Sequence, residues 1–108
     1  MEQAALHELV EGVRRIIPDQ IISIILYGSV ARGTATDESD VDIALIIKDK
    51  LGGEAEDALS DVIVDLNLKY DTVFSVVDIQ HDELKKWGNV LPFFKNVAKD
   101  GVVLWKAA

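Results

Sequence analysis

Asp40 and Asp42 stand two residues apart in Ser39-Asp40-Val41-Asp42, at the head of the apolar run Val41 to Ile47. A β-strand repeats every two residues, so this spacing turns both carboxylates to one face and leaves Val41, Ile43, Leu45 and Ile47 for the other. Adjacent like charges repel unless a cation lies between them, and Mg²⁺ takes carboxylate and phosphate oxygens as ligands. The pair therefore reads as a metal seat. An isolated D-x-D is more often the solvated face of an amphipathic strand, so the reading depends on what accompanies it.

What accompanies it is Gly28-Ser29, placed where the preceding apolar run Ile21 to Tyr27 ends. Glycine lets the backbone approach a ligand closely, Ser29 offers a hydroxyl, and amides at a following helix start attract phosphate oxygens. Arg32 and Gly33 extend the same segment. The arginine could bind a phosphate, although a lone arginine there is more often a surface charge or a partner of Asp37 or Glu38.

The elements that must position these groups follow from periodicity. Leu6, Leu9, Val10, Val13, Ile16 and Ile17 form one stripe of a helix over 4–17, stopped by Pro18 and Asp19. Ile21–Tyr27 and Val41–Ile47 are short, β-branched runs with the character of buried strands. The intervening segment reads as a turn or short helix followed by a loop. Ala55, Ala58, Leu59, Val62, Ile63 and Leu66 predict a helix over 54–70, and 72–79 a third strand. Leu84 and Trp87 sit on a helical turn, Pro92 opens a segment with Phe93, Phe94 and Val97, and 102–105 forms a small closing strand. The order predicts one α+β domain over 1–108, a sheet covered by helices on one face.

Together, Gly28-Ser29-Val30-Ala31-Arg32-Gly33 and Ser39-Asp40-Val41-Asp42 resemble the signature of the DNA polymerase β-like nucleotidyltransferases, and the short length resembles their minimal subgroup, MNT. The resemblance implies that family's fold, a small mixed or antiparallel sheet with helices. It also implies that Asp40 and Asp42 hold one or two Mg²⁺ ions, while Gly28, Ser29, Arg32 and Ser39 serve the triphosphate of ATP or another NTP. An acceptor hydroxyl then attacks the α-phosphate and pyrophosphate leaves. An all-helical partner of the HEPN type, modified on a hydroxyl in a toxin–antitoxin system, is the acceptor that the resemblance suggests.

A third carboxylate usually comes from a later strand in this family. Asp78 has the right residue type and is the expected third catalytic acid and metal ligand, yet the family's usual alignment would place Ser75 there. The two have opposite parity, so one alone can face Asp40 and Asp42 unless a bulge intervenes. Asp71 shares the parity of Ser75 but precedes the strand. A chain with two acids could bind nucleotide while transferring slowly or not at all, so a nucleotide-binding, partner-capping module is the competing reading.

Composition sets outer bounds. A chain of 108 residues, 49% hydrophobic, can bury one modest core, and with no cysteine it builds neither disulfides nor thiolate metal sites. The formal charge of −8 argues against a long DNA or RNA substrate. Acidic residues near the N-terminus and short apolar runs predict a soluble cytoplasmic protein without a membrane span. Homo-oligomerisation stays open. His7 and His81 read as surface residues, and Trp87, Phe93, Phe94 and Trp105 as core or interface residues.

Overall fold

The computed structural model describes residues 3–28, 31, 33 and 40–107. Helix α1 (Gln3–Ile16) buries Ala5, Leu6, Leu9, Gly12 and Val13, the stripe that three- and four-residue spacing demands. Arg14 and Arg15 in its last turn suit the negative end of the helix dipole. The chain then reverses through Pro18, with Ile17 accepting from the amides of Gln20 and Ile21 at 3.1 Å each.

Strands β1 (Ile21–Tyr27) and β2 (Val41–Ile47) pair antiparallel. Helix α2 (Gly53–Tyr70) then crosses over to β3 (Phe74–Gln80), which runs parallel to β2, the connection that a parallel pair requires. Asp71 ends α2 in the left-handed conformation, φ 48° and ψ 49°. Just beyond it, the Phe74 amide donates to Oδ1 of Asn67 at 2.9 Å and so ties the helix end to the start of β3. Helices α3 (His81–Trp87) and α4 (Pro92–Asp100) precede β4 (Val102–Lys106), which pairs antiparallel with β1. The strand order is β3-β2-β1-β4.

The sheet separates two apolar clusters. On one face Ile24, Ile43, Leu45 and Ile47 pack with Leu9 and Val13 of α1 and Leu59 and Leu66 of α2. Each fully buried aliphatic side chain there contributes about 1.5–3 kcal/mol relative to exposure. The two helices come close at Gly12, where an added Cβ would sit 2.9 Å from Cγ1 of Val62. On the other face Ile25, Ala44, Ile46 and Ile79 gather against Val97 and Phe94 of α4 and Leu84 of α3.

The α+β class and the mixed sheet agree with expectation. Helical cover on one face alone does not: α1 and α2 cover one side, and α3 and α4 a smaller part of the other. The physical reason is β2. Its even positions, Ala44 and Ile46, are apolar like its odd ones and must be buried too. Among the described residues no helix is long and apolar enough to cross a membrane.

Candidate active site

Strand β1 ends at Tyr27, and Gly28 turns the chain with φ +75°, a region where a side chain is strained. The glycine is required for a second reason. A Cβ built there would overlap Oδ2 of Asp42 and lie 3.1 Å from its Cγ. The carboxylate of Asp42 is thus lodged against the backbone where β1 ends, a closeness that any larger residue at 28 forbids.

Register explains why Asp42 is there. Asp42 pairs with Tyr27 across β1 and with Ser75 across β3, so the three residues form one row over three strands. Paired residues share a face, and this row lies on the side of Ala44 and Ile46, away from the α1–α2 core. Asp42 and Ser75 are half-buried, whereas Asp40, one residue ahead of β2, is exposed. The strand start is pinned by the Val41 amide, which donates to the Val73 carbonyl at 2.8 Å.

Asp78 is not in this row. It pairs with Leu45, three positions further along β3 and on the α1–α2 face of the sheet. Residues 74–80 pair one-to-one with 41–47, so no bulge changes its parity. Asp78 is exposed, beside a cavity that Glu56, Leu59 and Ser60 of α2 also line. The expectation that it joins Asp40 and Asp42 is therefore corrected, and Ser75 occupies the position facing Asp42. Asp71, fixed at the end of α2, precedes the strand. Among the described residues no three Asp, Glu, His or Cys side chains gather as a metal cluster. Ser29, Arg32 and Ser39, expected at the triphosphate, lie outside the described residues.

Tyr27 completes the row, and no chemical motif pointed to it; its only signal was its position as the last strand residue before Gly28. Burial, and then the negative charge of Asp42, raise its phenol above the usual value of 10.0, so the hydroxyl keeps its proton at neutral pH. Its ring meets Phe93 edge-on at 5.7 Å, and Phe93 meets Phe94 at 5.5 Å. His81 opens α3 and is exposed. His7 lies with Glu8, Arg15 and Lys69 along an open groove of about 430 Å³ between α1 and α2, among residues that do not include the Asp42 row.

A family model described as "Polymerase beta, Nucleotidyltransferase" matches residues 13–107. The chain belongs to the polymerase β nucleotidyltransferase family. It is thereby a nucleotidyltransferase, and the Asp42 row lies within the matched span. A Methanocaldococcus jannaschii protein named "Putative protein adenylyltransferase MJ0604" is 34% identical over 104 residues, which cover 96% of this chain and 98% of that protein. A second protein of that organism with the same kind of name is 33% identical over 81 residues, covering 73% and 55%.

Among solved structures, a toxin–antitoxin crystal structure with AMP-PNP superposes with TM-score 0.66 at 25% identity, covering 94% of this nucleotidyltransferase and 73% of that chain. A complex of tri-AMPylated Shewanella oneidensis HEPN toxin with MNT antitoxin gives TM-score 0.61 at 22% identity, covering 99% and 74%. The latter likeness is one of fold.

Proposed function

We propose that this nucleotidyltransferase moves AMP from ATP to a hydroxyl on a helical, HEPN-type partner protein and thereby acts as the antitoxin of a toxin–antitoxin pair in the cytoplasm. The observation that carries the reading is the Asp42 carboxylate, held against positive-φ Gly28 in one row with Tyr27 and Ser75. The names of its relatives supply the adenylyl group and the protein acceptor. The AMP-PNP and HEPN complexes are consistent with ATP as donor and a helical protein as acceptor.

The donor set fits Mg²⁺. Asp42 and Asp40 provide hard oxygen ligands two residues apart, and Mg²⁺ keeps several waters while needing only one or two carboxylates beside substrate phosphates. When bound, the ion neutralises charge on the phosphates and on the departing oxygen. The chain's own residues position. Gly28 leaves room for Asp42, and Tyr27 stays neutral beside it. One O–P bond forms between the acceptor hydroxyl and the α-phosphorus and one breaks as pyrophosphate leaves, the hydroxyl proton passing to water. Ser75 offers no base for that proton at neutral pH.

The same serine favours a second reading, a module that binds nucleotide and partner but transfers little. Incubation with α-labelled ATP, Mg²⁺ and the helical product of the neighbouring gene separates the two. Label on the partner, lost in Asp42→Asn, is expected for the enzyme. A tight complex that never takes up label would overturn transfer and leave the module.

A further inference from the structure

Charge is unevenly spread along the chain. Residues 81–108 carry five lysines against three acids, whereas the first 80 residues carry sixteen acids against six arginines and lysines. This basic last quarter is also where large apolar side chains are left in solvent around the turn from α3 to α4. Val90 is 64% exposed, Phe93 42% and Leu91 41%, next to Trp87 at 37%. Lys85 and Lys86 end α3, both exposed, and Nζ of Lys86 lies 5.0 Å over the Trp87 ring. Exposed apolar side chains grouped in this way mark an interaction surface more often than chance exposure.

The patch touches the Asp42 row. Phe93 meets Tyr27 edge-on at 5.7 Å, and Tyr27 pairs with Asp42, so a protein resting on Phe93 stands one ring away from the carboxylate. Where α3 turns into α4 the backbone is helix and turn, which offers no free strand edge for main-chain pairing. Recognition must then come from side chains, the mode in which an amphipathic helix lays its apolar face on apolar anchors.

We propose that the α3–α4 corner is the docking face for the acceptor protein, and that it takes an apolar helix face rimmed by acidic side chains. The inference rests on the reading of the chain as a protein-modifying nucleotidyltransferase and adds the partner's chemistry. An anionic membrane is the less favoured occupant. Pressing one against this corner would bring its headgroups up to the acidic remainder of the chain, whose field repels them.

The test uses the full chain and two helical peptides of about 20 residues, roughly 30 Å long, with one leucine stripe flanked by glutamate in one and lysine in the other. The overall charge of −8 favours the lysine peptide, and the local patch favours the glutamate peptide, so the two ideas predict opposite orders. The glutamate peptide is expected to bind at least about tenfold tighter and to lose about tenfold in Val90→Asp and again in the Lys85→Glu, Lys86→Glu double variant. Equal or tighter binding of the lysine peptide, no binding of either, or indifference to both variants overturns the proposal. Binding to phosphatidylserine vesicles in place of the glutamate peptide does so as well. Asp42→Asn keeps the two readings apart: it is expected to abolish transfer and leave peptide binding unchanged. A chain that selects the glutamate peptide but never transfers AMP retains the docking face and loses only the enzyme.

Discussion

Replacing Gly28 by alanine tests the geometry on which the proposed chemistry depends. Two costs are expected, and they can be separated. The first is backbone: φ is +75°, and an L-residue in that region costs about 1–2 kcal/mol. At about 4–8 °C per kcal/mol for a domain of this size, the melting temperature should fall by roughly 4–16 °C. The second is steric. The new methyl would overlap Oδ2 of Asp42 and crowd its Cγ at 3.1 Å and its Cβ at 3.3 Å, so the carboxylate must move by about 1 Å, a displacement that can cost on the order of 10²-fold in rate. Gly33 supplies the control. Its φ is also +75°, but among the described residues no atom, and so no atom of Asp42, lies within 4 Å of a Cβ built there, so Gly33→Ala carries the first cost without displacing Asp42. Both variants should melt early, and Gly28→Ala should lose on the order of tenfold or more transfer beyond Gly33→Ala, measured as AMP label on the partner at a temperature where both are folded. Equal activity in the two variants would refute the claim that the gap at Gly28 positions Asp42.

Further outcomes follow from the same geometry. Asp78→Asn should leave transfer within about twofold of the parent, because Asp78 lies on the opposite sheet face; a loss comparable to Asp42→Asn would put it back in the site. Ser75→Asp places a carboxylate beside Asp42, so the melting temperature should fall without Mg²⁺ and recover with it, while transfer rises about tenfold or more if proton removal limits the rate. An identical melt with and without Mg²⁺ would count against a metal seat at this row. In a Tyr70→Phe background, Tyr27 is the one remaining tyrosine, and its ultraviolet titration should have a midpoint above 10.0 because of burial first and Asp42 second. Adding Asp42→Asn should lower that midpoint without returning it fully to 10.0. The folded state holds the phenolic proton more tightly than the unfolded chain, so this stability contribution is intact below pH 10 and is lost as pH rises through the raised value. Glu8 shows the opposite sign. Its hydrogen bonds from Lys69 and Tyr70 lower its pKa, so their contribution is present above the usual 4.5 and fades as pH falls through the lowered value, an acid-side dependence that Glu8→Gln should remove.

Periodicity carried most of the fold because the elements that form the sheet have unmistakable patterns. The stripe of α1 and the β-branched runs of β1 and β2 lie where spacing puts them, within a residue at each end. The second helical cover was harder to foresee. A strand that is apolar at both parities announces burial on both sides, but which elements supply the second layer depends on how α3 and α4 fold back, which no local pattern encodes.

The third-acid position illustrates a sharper limit. Parity already stated that Ser75 and Asp78 cannot both face Asp42, and choosing between them required one further fact, the register of β3 on β2. That register is a long-range feature, marked at its start by the Val41 amide donating to the Val73 carbonyl, while Asn67 of α2 holds the neighbouring Phe74 amide locally. Residue type favoured the acid, and the ladder selected the serine. The consequence for chemistry concerns this position alone: at neutral pH the side chain of β3 that faces Asp42 is a hydroxyl and not a carboxylate, so Ser75 itself supplies no base. The aromatic contact from Tyr27 to Phe93 leads from the Asp42 row to the exposed corner of α3 and α4, and it is the path by which a protein held at that corner would be placed beside the carboxylate.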